Sequence, residues 1–134
     1  MVLIATQAGS MKYVLEADDK VIYLSDFALV GLGSFTALKS NSEAGADYVV
    51  PVGKVLTLVF MEFYSSNTTG YIDIKFDSSA GSSGGTRIGF PQNILTGTTQ
   101  VRHTKIDIPA GNYVNIQKVV AQINCSMIGV EHDA

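Results

Sequence analysis

The sequence has no tryptophan, one cysteine and three prolines among its 134 residues. A lone cysteine, Cys125, excludes a disulfide within the chain. No apolar run approaches the roughly 18 residues of a transmembrane helix, so no membrane partner is expected. The first ten residues lack the charged start and the long apolar segment of a secretory signal. These absences predict synthesis in the cytoplasm.

Charged residues are also scarce, at 16% of the chain with a net charge of −3 at pH 7. Soluble domains usually carry roughly 25%. Lysine and arginine form no cluster, and phosphate contacts need clustered positive charge, so no nucleic-acid partner is expected. Apolar residues make up 46%. Little charge beside much apolar surface is typical of a chain that buries part of its surface in an oligomer.

Residues with catalytic or metal-binding chemistry are few and scattered. The two histidines, His103 and His132, lie far apart in the sequence and bring no convergent ligands with them. Cys125 falls on the apolar face of its predicted strand, where a thiol behaves as a small hydrophobe. Neither a nucleophile elbow nor a phosphate-binding loop is present. We therefore predict no enzymatic activity, no catalytic residue, no bound metal and no cofactor.

The sequence is rich in strand-forming residues, above all in residues 55–64, which contain no breaker. Alternation with period 2 places Leu56, Leu58 and Phe60 on one face of this strand, and the opposite face is also largely apolar. One face would pack in the core, and the other would need a cover from the chain's N-terminal segment or from another subunit. We predict a central strand and assign Leu56, Leu58 and Phe60 to an oligomer interface.

Further short strands are separated by polar turns along the rest of the chain. Residues 71–76 alternate cleanly, which predicts that Asp73 faces water. Residues 11–17 and 21–25 are predicted to form a hairpin around an acidic turn. About eight strands with turns every 8–12 residues are typical of a sandwich or barrel. We predict a single all-β domain over residues 1–134, a jelly-roll-like β-sandwich of about eight antiparallel strands.

Residues 77–89 are rich in glycine and serine, a composition that cannot bury apolar area. Long loops of this kind are commonly functional or disordered. We predict a projecting loop that tolerates shortening. Its representative positions are Asp77, Ser79, Gly81, Ser83, Gly85 and Arg87.

Two turns share the order proline, one residue, glycine. Val-Pro-Val-Gly-Lys occupies residues 50–54, and Ile-Pro-Ala-Gly-Asn-Tyr occupies residues 108–113. Proline presets φ at the second turn position, and glycine suits the fourth, so we place the first turn at residues 50–53. Over residues 48–130 this pattern resembles small β-sandwich proteins of tailed-bacteriophage virions, such as head decoration (cement) proteins. No site residue can be transferred from the resemblance.

The resemblance implies a non-enzymatic structural protein on the capsid surface of a virion. Such proteins are commonly homotrimers that bind between subunits of the major capsid protein. Residues 1–10 would then suit an arm that docks on a neighbour.

Two alternative functions stay open. One is a receptor- or glycan-binding module of a tail fibre or adhesin, which exposed aromatics in residues 77–89 would favour, and these are absent. The other is a small cupin-type barrel enzyme, which would need a convergent cluster of histidines and carboxylates. Core packing is the assignment for most of the aromatic residues that could form a sugar platform, which are Tyr23, Tyr48, Tyr64, Tyr71 and Phe90.

Overall fold

The chain folds into antiparallel β-sheets, as the computed structural model of the protein shows. No helix occurs in the part of the chain that the structure describes, which confirms the predicted all-β sandwich. The jelly-roll connectivity stays a prediction. The structure describes residues 2–5, 11–26, 34–40, 45–65, 70–88, 92–94, 97–119 and 123–134.

The strands in chain order are β1 (Val2–Ala5), β2 (Met11–Val14), β3 (Lys20–Asp26), β4 (Phe35–Ala37), β5 (Lys39–Ser40), β6 (Lys54–Ser65), β7 (Gly70–Asp77), β8 (Thr86–Arg87), β9 (Gln92–Ile94), β10 (Thr99–Pro109), β11 (Tyr113–Val119) and β12 (Ile123–Asp133). Sheet I has the order β10-β6-β12-β3-β5. Sheet II has the order β4-β11-β7-β8, with β9 also paired to β7. β1 and β2 form a separate pair.

Strand β6 lies between β10 and β12, which confirms the predicted central strand. Its ladder is irregular at Val59. Phe60 pairs with Ile128 and Leu58 pairs with Gly129, so β6 takes two steps where β12 takes one. Between the same two rungs β10 takes three steps. Val59 is therefore the extra residue of a β-bulge, and the two ends of β6 alternate in opposite phase.

The bulge removes Leu56 and Leu58, but not Phe60, from the predicted oligomer interface. Leu56 and Leu58 are 0% exposed and belong to the core of the single chain. Beyond the bulge, Met61 and Phe63 take the core positions, and Phe60 lies on the outward face. The assignment of Leu56, Leu58 and Phe60 to one outward face is wrong because it assumed an unbroken period of 2.

The core is built from the inner faces of both sheets. Leu24 and Met127 come from sheet I, and Ile72 and Ile116 come from sheet II. Burying each such side chain stabilises the fold by about 1.5–3 kcal/mol. Gly129 of β12 allows the close approach of the core side chains, because a Cβ at this position would lie 2.6 Å from Cδ1 of Leu56.

Hydrogen bonds hold the loop after β7 against sheet II. Asn115 of β11, which is fully buried, accepts from the Gly81 N–H at 2.9 Å and donates to the Ser79 carbonyl at 3.0 Å. The Lys75 ammonium donates to the Ser83 carbonyl at 2.6 Å. The loop is therefore anchored to sheet II, although much of residues 77–88 is exposed, and its tolerance of shortening stays a prediction.

A short hairpin stands outside the two large sheets. β1 pairs antiparallel with β2, with Val2 opposite Val14, and neither strand pairs with sheet I or sheet II among the described residues. β3 pairs instead with β12 and β5. The predicted hairpin of residues 11–17 with residues 21–25 is therefore wrong, although a turn does form there, where the Asp19 N–H donates to the Glu16 carbonyl at 3.1 Å.

The two proline-glycine turns lie side by side. In the first, the Lys54 N–H donates to the Pro51 carbonyl at 3.1 Å, so the turn begins one residue later than predicted. Gly53 is then the third turn residue, with a φ of 79° that favours glycine. The Gly111 N–H donates to the Val50 carbonyl at 2.8 Å, and the Val50 N–H donates to the Asn112 carbonyl at 3.0 Å. The repeated motif thus joins the two halves of the chain.

Candidate functional site

The outward face of sheet I carries exposed aromatic and apolar side chains. Tyr23 is 54% exposed, Val101 is 50% exposed and Tyr64 is 36% exposed. Phe60 and His103 form an edge-to-face pair on this face, with ring centroids 5.6 Å apart. The prediction that most tyrosines are core residues holds for Tyr48, which is buried, but is wrong for Tyr23 and Tyr64.

A pocket of about 240 Å³ opens at one end of this face. The strand register explains why its walls meet. Tyr64 on β6 has Thr99 of β10 directly opposite on one side and Asn124 of β12 on the other. Two residues further along each strand, on the same face, Glu62 lies opposite Ser126. Directly opposed side chains have Cβ atoms about 4.5–5.5 Å apart, so all five converge. The lining of this Glu62 pocket is Glu62, Tyr64, Thr99, Asn124 and Ser126.

The polar groups of the Glu62 pocket are not used within the fold. In the part of the chain that the structure describes, none of the five lining side chains forms a hydrogen bond or an ion pair with another protein group. The set combines a carboxylate, which only accepts, with a carboxamide and three hydroxyls, which both donate and accept. The Tyr64 ring adds a partly exposed apolar surface. This arrangement can bind a small ligand that has several hydroxyl groups and an apolar face.

An apolar area lies beside the pocket, toward β3. We name Val21, Tyr23 and Ile128 the Tyr23 patch. Ile128 pairs with Tyr23, and Val21 lies on the same face one rung further along β3. Val21 and Ile128 are half-buried, whereas Tyr23 is largely exposed. The patch contains no acidic or basic side chain, so copies of it can meet around a symmetry axis without charge repulsion.

Three polar residues meet at the other end of the same face, on three neighbouring strands. The Thr57 hydroxyl lies 2.6 Å from Oδ1 of Asp107 and 2.7 Å from Nε2 of His132. Nδ1 of His132 lies 2.9 Å from the Asp133 carbonyl oxygen. Thr57 itself is 1% exposed.

The contacts of this cluster differ from those of a hydrolytic triad. The Thr57 hydroxyl has one proton, which either the Asp107 carboxylate or Nε2 of His132 can accept. In a triad the carboxylate contacts the imidazole, whereas Asp107 contacts the Thr57 hydroxyl and Nδ1 of His132 lies beside the Asp133 backbone carbonyl.

Two charged groups elsewhere have shifted pKa values. The Asp133 carboxylate, 2.6 Å from the Lys54 ammonium, raises the pKa of Lys54 above its ordinary value. The Ser82 hydroxyl, followed by the Ser78 backbone N–H, lowers the pKa of Asp77 below its ordinary value. Neither group is buried, so these shifts reflect local hydrogen bonds rather than a buried site.

The sequence-based candidates and the pocket have little in common. Leu56 and Leu58 are core residues, and Arg87 forms an ion pair with Asp73. Cys125 is buried, as predicted. Within the described ranges, no three His, Cys, Asp or Glu side chains are grouped so that they could hold a metal ion. The described residues also include no helix that is long and apolar enough to cross a membrane.

Sequence reasoning missed the Glu62 pocket. Asn124 and Ser126 were recognisable as outward residues from their alternation with the core positions of β12. The face on which Glu62 and Tyr64 lie could not be predicted from alternation, because nothing in the sequence marks the bulge at Val59. Comparison of the chain with protein-family models and with curated proteins found no match.

Proposed function

We propose that this protein is a non-enzymatic structural component of a phage virion, a capsid decoration protein that binds as a homotrimer between subunits of the major capsid protein. The observation that carries the proposal is the β1–β2 hairpin, which pairs with neither large sheet in the described part of the chain. A two-stranded hairpin alone is at best marginally stable in water. A neighbouring subunit that packs on the hairpin would stabilise it.

The composition of the hairpin supports this role as a docking arm. Its two strands read Val-Leu-Ile-Ala and Met-Lys-Tyr-Val, so Lys12 is their one charged residue. Such a segment contributes far more to stability when it is covered than when it is left in water. Binding to the assembled capsid lattice, and not to free capsid subunits, stabilises the lattice by mass action.

Removal of the arm tests the docking role. We expect a variant that lacks residues 1–14 to fold, because β1 and β2 pair with no strand of the sandwich among the described residues. Circular dichroism and a cooperative thermal transition check the folding. When full-length and truncated proteins are mixed with particles stripped of the protein, the full-length chain should co-sediment with them and the truncated chain should stay in the supernatant. Equal co-sedimentation of both chains would contradict the proposal.

The Tyr23 patch is the proposed contact between copies, in place of Leu56 and Leu58. Light scattering of the purified protein at micromolar concentration should give the mass of three chains of 14.3 kDa each. Tyr23→Asp should give a folded monomer, because it places a charge in an apolar contact. Val52→Asp is the matched control, since Val52 is 95% exposed in a turn away from the patch. A monomeric unmodified protein would refute the trimer.

A second candidate function, recognition of a receptor or glycan, is favoured by a separate observation. The Glu62 pocket gathers polar groups that the fold leaves without partners and places them beside an exposed tyrosine ring. Decoration proteins face outward on a particle, so the two functions are compatible in one molecule.

A further inference from the structure

We infer that the Glu62 pocket binds a single neutral hexopyranose residue, such as the terminal sugar of a glycan. The inference rests on the second candidate function, recognition of a glycan, and names its site and ligand class. It does not depend on the capsid role, because the pocket is formed entirely by β6, β10 and β12 of one chain.

The donors and acceptors of the pocket match those of a sugar. Each sugar hydroxyl donates one hydrogen bond and accepts others. The Glu62 carboxylate can accept from two neighbouring hydroxyls, and such charge-assisted bonds are about twice as strong as neutral ones. Asn124 and Ser126 both donate and accept, so they can bind the adjoining hydroxyls. A ligand that lacked hydroxyls would leave these polar groups desolvated without partners, which costs free energy.

The Tyr64 ring provides the apolar half of the site. A pyranose presents a face of C–H groups, and this face can pack against an aromatic ring that keeps its hydroxyl in contact with water. Thr99 and Asn124, on either side of Tyr64, fix the edges of this platform. Tyrosine has few rotatable bonds, so it loses little entropy when a ligand covers it.

Size and charge narrow the ligand class. At about 240 Å³ the pocket is smaller than the roughly 300–1,000 Å³ of sites for drug-sized ligands, which favours one sugar residue over an oligosaccharide. The Glu62 carboxylate repels anions, which disfavours sialic acids and sugar phosphates. The other four lining residues are neutral, so Glu62 is the one charged residue of the lining. A single carboxylate offers little charge to hold a basic peptide.

Saturation-transfer NMR of the full chain tests the inference. The probes are the methyl α- and β-pyranosides of glucose, galactose and mannose. We expect transfer to the ring protons of at least one probe, with millimolar affinity. Glu62→Gln keeps the shape of the side chain and removes its charge, and it should weaken that binding by about tenfold or more. Tyr64→Ala should abolish the transfer.

Two controls keep the result interpretable. Asp18→Asn removes a carboxylate from an exposed turn and should leave binding unchanged. Thermal unfolding of Glu62→Gln and Tyr64→Ala checks that both variants are folded.

The outcomes separate the site from the function. Transfer that is equal in all variants would overturn the Glu62 pocket as the site, while glycan recognition itself would stand. The absence of transfer to every probe would overturn both. Binding of a lysine-rich peptide that Glu62→Gln abolishes, without binding of any glycoside, would overturn the sugar assignment in favour of a cationic ligand.

Discussion

The two sheets treat their polar residues in opposite ways. In sheet II the fully buried Asn115 uses its side-chain amide to hold the loop after β7. In sheet I the outward Asn124 lines a pocket, and its side chain has no hydrogen-bond partner among the described residues. The same residue type therefore stabilises the fold in one sheet and stays available for a ligand in the other. Asn115 is fully buried and Asn124 is half-buried, so burial and the state of the hydrogen bonds together separate the two roles.

The difference has a simple energetic basis. A buried polar group without a partner costs about 1–3 kcal/mol, so the fold must satisfy it. Among the described residues, every buried side-chain nitrogen and oxygen has a hydrogen-bond partner. A polar group at a pocket mouth bonds to water instead, and a ligand can replace that water. The contrast between the sheets leads to four predictions.

The largest effect is expected next to the bulge in β6, where the alternation of core-facing and outward-facing residues changes phase. Leu58→Asp places an unpaired charge in the core, so we expect a loss of about 4 kcal/mol or more and no cooperative transition. Phe60→Asp, two residues along the chain, should cost about 1 kcal/mol through the lost contact with His103 and should remain folded. Urea unfolding followed by circular dichroism measures both. A folded Leu58→Asp protein would contradict the assigned phase of β6.

Two asparagines provide the next comparison. Asn115→Ala removes two hydrogen bonds to the loop backbone, so we expect a loss of about 2–3 kcal/mol. Asn124→Ala removes a side chain without protein partners and should change the free energy of unfolding by less than about 0.5 kcal/mol. Urea midpoints of the two variants measure the difference. Equal losses would mean that the pocket is structural.

The carboxylates of Asp73 and Glu62 should also differ in their contribution to stability, but by less than the two asparagines. Asp73 is almost fully buried and accepts two hydrogen bonds of 3.1 Å from the Arg87 guanidinium. Arg87 is 46% exposed, so solvent screens the pair, and we expect Asp73→Asn to cost about 1–2 kcal/mol. Glu62→Gln should leave the melting temperature nearly unchanged. A larger loss in Glu62→Gln than in Asp73→Asn would reverse the roles proposed for them.

The smallest effect concerns pH. Hydrogen bonds from Ser82 and Ser78 lower the pKa of Asp77, so its charged form is favoured in the folded state. Its contribution to stability is present above the pKa of the unfolded chain and is lost as the pH falls through the lower folded value. NMR titration should find the pKa of Asp77 below its ordinary value, and Ser82→Ala should raise it. A pKa that Ser82→Ala leaves unchanged would contradict this cause.

The fold class could be predicted because it depends on regular alternation. The core residues of β12, such as Ile123 and Met127, alternate with polar residues, and this pattern needs no knowledge of neighbouring strands. The turn glycines were recognisable for the same local reason. The first turn was predicted one residue too early, with Gly53 as its fourth residue. Gly53 is instead the third residue and adopts a positive φ, and glycine is common at both turn positions.

The site could not be predicted because it depends on tertiary pairing. The bulge at Val59 appears only when β6 pairs with β10 and β12, which have different numbers of residues between the same two pairs. Valine is an ordinary strand residue, so Val59 itself gives no signal of the bulge. Asp73 was predicted to face water because its partner, Arg87, lies on β8 and meets it only in the folded sheet. The anchoring of the loop after β7 could not be predicted, because the sequence does not reveal that Asn115 contacts it.

The irregular ladder of sheet I also protects the protein against wrong assembly. Between the pairs formed by Phe60 and by Leu58, β12 advances by one residue, β6 by two and β10 by three. A slip of two residues would keep apolar side chains on one face, yet it would put these irregularities out of line. Long apolar strands are otherwise prone to stack edge to edge with other copies. The bulge at Val59 therefore fixes the register of β6 between its neighbours. A strand from another chain would need a bulge at the same position before it could replace β6.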